Sequence, residues 1–174
     1  MKKFGKGPIS AGLAVVVALA VPLTSKWEGR SLTPYQDIVG VWTICDGETL
    51  NVRQDGVATH QECDTQTKKR VTEFATAIDE IVTVPLSPKT HAALTVWSYN
   101  VGLASAKRST LIRKINRKEY KAACDELLKW VCVTVSPGTG DTSGQCVTRN
   151  KNKRLVNGLL NRRLDERKMC LEGV

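Results

Sequence analysis

The chain has 174 residues, with 26 Lys and Arg against 17 Asp and Glu, a formal net charge of +9. That length fits one domain, typically ~100–200 residues, and suffices to close a core with a cleft. The basic excess suits an anionic polymer or an acidic membrane surface. With no zinc-finger spacing and no compact reading helix, nucleic acid is the weakest partner. The six cysteines form no C-x-x-C pair, which argues against a zinc ribbon or a thioredoxin-type site.

The first 25 residues are distinct. Lys2, Lys3 and Lys6 precede a stretch of 19 uncharged residues that ends at Lys26. Its apolar part, residues 8–23, lies at the short end of what spans a bilayer as a helix, ~17–25 residues. Lysines before the run and none close behind predict a cytoplasmic N-terminus and an exported body. Three readings remain open. Ala18-Leu19-Ala20 offers the A-x-A site of a cleavable signal peptide, and a stable anchor would hold the body at the membrane. The third is a marginal anchor able to leave the bilayer, which the Ala- and Gly-rich composition favours because burial scales with apolar area. The expected division is an anchor over 1–25 and a body over 26–174. Export would make the even number of cysteines structural disulfides, although the residues alone leave every pairing open.

After Ser25 the pattern predicts a short helix over 26–33, with Trp27 and Leu32 as apolar anchors and Pro34 as its end. Val39, Val41, Trp42 and Ile44, punctuated by glycines, predict a small antiparallel sheet of two or three strands over 35–59, with Gln54-Asp55-Gly56 as a turn. Thr59-His60-Gln61-Glu62 is a capping box, and Val71, Phe74, Ala75, Ile78, Ile81 and Val82 continue at helical spacing. Ser87-Pro88 opens a hydrophobic, central helix that Gly102 stops. Short helices are expected over 109–116 and 118–131, a loop or hairpin over 133–144, and a last helix over 151–170. On that last helix Leu155, Leu159, Leu160 and Leu164 should face inward and the arginines outward. The class is α+β, mainly α, with a small antiparallel β-sheet near the N-terminus and a helical C-terminal lobe.

Chemistry concentrates just after the apolar run. Glu28 is followed nine residues later by Asp37 and six further by Thr43. Two carboxylates can cleave a glycosidic bond when one donates a proton to the leaving oxygen and the other activates water. Glu28 as the acid requires a raised pKa, which an apolar wall from Trp27 and the preceding segment would supply. Asp37 would stay ionised, and Thr43 would bond the same water. Spacing alone is weak, since such acids are more often surface charges or caps.

The surrounding words are more specific: Trp27-Glu28-Gly29, Pro34-Tyr35-Gln36-Asp37, Gly40-Val41-Trp42-Thr43-Ile44 and Cys45-Asp46-Gly47-Glu48-Thr49. Ser98-Tyr99-Asn100-Val101-Gly102, Ser109-Thr110-Leu111 and Gly158-Leu159-Leu160-Asn161-Arg162-Arg163 with Glu166 and Cys170 follow in order. Over about residues 26–172 the chain resembles the phage-type (T-even) lysozyme family of glycoside hydrolases. With its apolar N-terminus it is similar to the signal-anchor-release endolysins of phages that infect Gram-negative bacteria.

That resemblance implies a lysozyme-like fold and hydrolysis of the β-1,4 bond between N-acetylmuramic acid and N-acetylglucosamine in peptidoglycan, with inversion. It implies Glu28, Asp37 and Thr43 as the catalytic triad, Tyr99 and Asn100 as sugar contacts, no metal or cofactor, and a monomer. It pairs Cys45 with Cys63 and Cys124 with Cys170, leaving Cys132 with Cys146. The body would be held at the host inner membrane through residues 8–23 and then released to the periplasm. A secreted lysozyme with a cleaved signal, a lytic transglycosylase and a non-enzymatic wall-binding protein are the alternatives. Two departures stand out. Glu48 occupies the usual place of a histidine and so needs a donor partner, and the anchor holds no cysteine for activation by thiol exchange.

Overall fold

The structure is a computed structural model and describes residues 10–36, 40–134 and 153–174. Its first element is a single 18-residue helix, α1 (Ala11–Glu28), started by Ser10, whose hydroxyl accepts from the Leu13 amide at 3.3 Å. The helix runs through Pro22 to Glu28 and stops at Gly29, which takes a positive φ of 70°. The short helix expected over 26–33 is therefore corrected. Residues 26–28 are the last turn of α1, and Ser31–Gln36 is strand β1. Pro34 fits there because β1 is half of a two-stranded ribbon and its register shifts between Ser31 and Tyr35.

Strand β1 pairs antiparallel with β2 (Trp42–Cys45), Tyr35 opposite Thr43 and Gln36 opposite Trp42. Ile44 and Glu48 exchange backbone hydrogen bonds at 2.9 Å across a tight turn. The sheet is thus two strands and a bridge. Gly56 closes the expected turn by donating to the Arg53 carbonyl at 3.1 Å.

Helix α2 (His60–Ile81) begins with the full capping box of Thr59 and Glu62. Helix α3 (Pro88–Val101) begins at Ser87 with Pro at its first position, and nine consecutive residues, 90–98, are buried. Short helices follow: α4 (Leu103–Arg108), which the sequence pattern did not separate, α5 (Thr110–Asn116) and α6 (Tyr120–Glu126). A 3-10 turn over Leu127–Lys129 ends the helix expected to reach 131. Strand β3 (Cys132–Thr134) pairs antiparallel with β4 (Lys153–Leu155). The final helix, α7 (Asn157–Leu171), consequently starts six residues later than expected, since 153–155 pair as a strand.

The core has two main parts. One gathers Ile78, Leu94, Trp97, Leu111, Ile115 and Leu127 around α3. The other is built where α1 lies on α2 and α3, with Val16, Val17 and Ala20 against Val71, Ala75, Ala92 and Val96. Disulfides join Cys45 to Cys63 and Cys124 to Cys170, as the resemblance implied. Cys132 is also disulfide-bonded; Cys146 lies outside the described residues.

Candidate functional site

Glu28 is the last residue of α1, so the packing of the apolar helix fixes where its carboxylate lies. The side chain is 19% exposed, and its Oε1 lies 2.7 Å from Nη1 of Arg162 on α7. The expected apolar wall is thus corrected: a guanidinium faces the carboxylate. Arg162 in turn donates to Glu166 through Nε at 3.0 Å and to the Val96 carbonyl at 3.3 Å. Glu166 is paired on its other oxygen with Arg163, which also donates to the Asn100 side-chain oxygen and to the Trp130 carbonyl.

This chain of charges overturns the expected polarity of α7. Arg162, Arg163 and Glu166 are buried, while Leu164 is exposed. The charges stay inside because each meets an opposite charge or a carbonyl. Burial pushes the Glu166 carboxyl upward, and the two guanidiniums hold it back. Arg162 and Arg163 were missed as site residues. The available signal was their spacing, three and four residues before Glu166, which places all three on one helical face.

Thr43 is buried on β2, and its hydroxyl donates to the Val41 carbonyl at 3.1 Å. Asp37 follows directly on the end of β1 but lies outside the described residues. The turn after β2 reaches Glu28: a Cβ on Gly47 would lie 3.8 Å from Glu28 Oε2. Glu48 finds its donors in the backbone, accepting from the amides of Thr49 and Leu50 at 2.9 and 2.8 Å. Tyr99 is half-buried, donates to the Asp46 carbonyl at 3.2 Å and packs its ring 5.1 Å from Phe74. Burial, reinforced by the negative charge of Glu28, pushes its phenol up to about 12. Asn100, at the exposed edge of α3, holds Arg163.

The floor beneath the turn is a second buried carboxylate, Asp46, 2% exposed. Arg30 donates to both its oxygens, at 3.0 and 2.8 Å, and Thr67 and Ser25 donate to Oδ2 at 2.6 and 3.1 Å. Burial alone would raise this carboxyl, but the Arg30 and Thr67 donors outweigh it and hold the group below its usual range.

Residues 25–166 match the sequence profile of the phage lysozyme family. A SAR-endolysin of Enterobacteria phage PA-2 is 35% identical over 147 residues, which is 84% of this chain and 78% of that one. A SAR-endolysin of Pseudomonas phage phiKMV is 34% identical over 164 residues, 94% of this chain and 88% of that one. Among solved structures, a mutant of P22 lysozyme superposes with a TM-score of 0.66 at 26% identity, covering 95% of this chain and 99% of that one. The muramidase domain of SpmX from Asticaccaulis excentricus shares the fold with a TM-score of 0.76 at 20% identity, over 95% and 99% of the two chains.

Proposed function

The chain belongs to the phage lysozyme family and is an endolysin-type muramidase with peptidoglycan as its substrate, and on that premise we propose which residues act and how they are controlled. Glu28 is the general acid that protonates the leaving glycosidic oxygen. Asp37, with Thr43, holds and activates the water that attacks from the opposite face. Inversion requires the two carboxyl groups ~6.5–9.5 Å apart, leaving room for that water. Tyr99 and Asn100 border the cleft and contact the sugars. The observation that carries this reading is the placement of the Glu28 carboxylate, 19% exposed, against the turn that follows the Thr43 strand. Digestion of purified peptidoglycan by wild type, Glu28→Gln and Asp37→Asn tests it. New reducing muramic ends from wild type alone are expected. Anhydromuramyl ends, or full activity in Glu28→Gln, would replace the hydrolytic reading with a transglycosylase or a different acid.

Residues 8–23 first hold the protein in the inner membrane, with the N-terminus cytoplasmic and the body periplasmic. Residues 11–28 form one helix long and apolar enough to cross a membrane. At ~1.5 Å per residue, Glu28 then stands only ~8 Å beyond Leu23, pinned at the bilayer surface and away from Arg162. Release lets α1 dock and brings the acid to its partner. Retention of the segment is supported by its packing: cleavage after Ala20 would remove Val16, Val17 and Ala20 from the core they share with α2 and α3. Mass spectrometry of the active soluble protein tests this, and loss of about the first 20 residues would overturn it.

A further inference from the structure

Asp46 has a buried carboxylate that none of the proposed catalytic roles uses. Two of its donors, Ser25 and Arg30, lie three residues before and two residues after Glu28. Its third donor, Thr67, comes from α2, which also carries the disulfide partner of the neighbouring Cys45. Its own carbonyl is held by Tyr99 of α3. The backbone aims the side chain inward: Cys45 and Gly47, on either side, both take positive φ, 56° and 91°. Gly47 is also the residue whose Cβ position would lie against Glu28 Oε2.

We propose that Asp46 is a positioning residue for the glycosidic reaction. It clamps both flanks of Glu28 to the turn that follows the Thr43 strand, so that acid and sheet come into register only when α1 is docked. The inference rests on Glu28 being the acid and on the docking of α1 described above. With α1 withdrawn, Ser25 leaves with it, and Arg30, which stands just before β1 and also pairs with Asp64 of α2 at 2.8 Å, loses the helix end that fixes its position. Asp46 then has one donor fewer, and the ion pair it keeps no longer ties the turn to Glu28, so acid and turn are free to drift out of register. The docked helix and the formed turn are therefore one cooperative unit, with Asp46 as the joint.

The test compares purified wild type, Asp46→Asn, Ser25→Ala and Glu28→Gln on peptidoglycan, with activity normalised to the folded fraction from circular dichroism. Asp46→Asn keeps the shape but loses the charge that holds Arg30. Its kcat should fall roughly 10- to 100-fold, the scale of a small misplacement of a reacting group, with KM nearly unchanged. Ser25→Ala removes one donor without burying a new group and should lower kcat roughly 3- to 10-fold. If Asp46→Asn does not fold, Ser25→Ala decides alone. Wild-type kcat per folded molecule in the deciding variant overturns the proposal, because a merely structural Asp46 would change only the folded fraction. Glu28→Gln separates the two levels. If it remains active, the assignment of the acid has failed; if it is inactive while Asp46→Asn or Ser25→Ala turns over normally, only the clamp has failed.

Discussion

Helices α1 and α3 are both apolar and lie side by side, yet they are buried differently. In α3 every residue over 90–98 is buried, on all faces of the helix. In α1 only Val16, Val17, Ala20 and Thr24 are buried, a single stripe, while Val15 on another face is 49% exposed. A helix that is apolar all round but buried on one stripe suits two environments. The stripe is enough to dock it on the body, and the remaining surface is what a bilayer would cover. Helix α3 has no such second surface, and part of its burial, at Ala92 and Val96, is supplied by α1 itself. The difference between the two helices thus lies in the surface each leaves exposed, while the docking of α1 completes the cover over α2 and α3.

Truncation in each helix separates them. Trp97→Ala, at the centre of α3, should cost about 3–5 kcal/mol. It removes a fully buried ring that packs edge-on against Trp130 at 5.2 Å. Thermal unfolding should show a large drop in Tm with activity lost in proportion to the unfolded fraction. Val17→Ala should cost less, about 1–2 kcal/mol, because it thins one contact of the docked stripe. Here activity should fall more than the folded fraction does, since Glu28 rides on the loosened helix. Equal falls in both quantities would mean that α1 docks too tightly to act separately.

The same contrast explains what could be read from the sequence. Capping boxes, Ser-Pro starts and 3.6-residue periodicity are local, so the start of α2 and both ends of α3 were legible to the residue, while α2 stops at Ile81, short of the expected Pro85. The end of α1 was not, because an uncharged run carries no stripe that says which side will be buried, and the stop is Gly29 and not the expected Pro34. The polarity of α7 was misread for a different reason. Arginine is normally outside, and Arg162 and Arg163 turn inward because Glu166 on their own helix pairs with both and Glu28 and the Val96 and Trp130 carbonyls, from elsewhere in the fold, take their remaining donors. The family resemblance, by which a histidine is expected where Glu48 stands, pointed to a missing brace. The brace that exists, Arg30 on Asp46, joins residues 16 apart, and nothing local marks them as partners.

Acid should weaken the joint before it weakens α3. The folded carboxyl of Asp46 is held below its ordinary value, so its contribution to stability is complete above the unfolded pKa of about 3.9. That contribution is lost as pH falls through the folded value. Denaturant midpoints measured from pH 6 downward should therefore fall below about pH 4 in wild type and fall less in Asp46→Asn. Equal slopes would mean that other carboxylates dominate acid unfolding.

The smallest effect on the soluble enzyme is expected where α1 faces solvent, and it is the most discriminating. Val15→Ser leaves the docked stripe intact, so stability should stay within about 0.5 kcal/mol and turnover of purified protein should not change. In the bilayer the same methyl groups meet lipid, and replacing them with a hydroxyl makes the segment a poorer membrane helix. The variant should therefore appear earlier in the soluble fraction of cells than wild type, with lysis advanced. The measurement is the membrane-to-soluble ratio of the full-length chain over time, beside kcat of the purified protein. A changed kcat would mean that this face of α1 contacts the body after all. An unchanged ratio would mean that it is not the face the membrane holds.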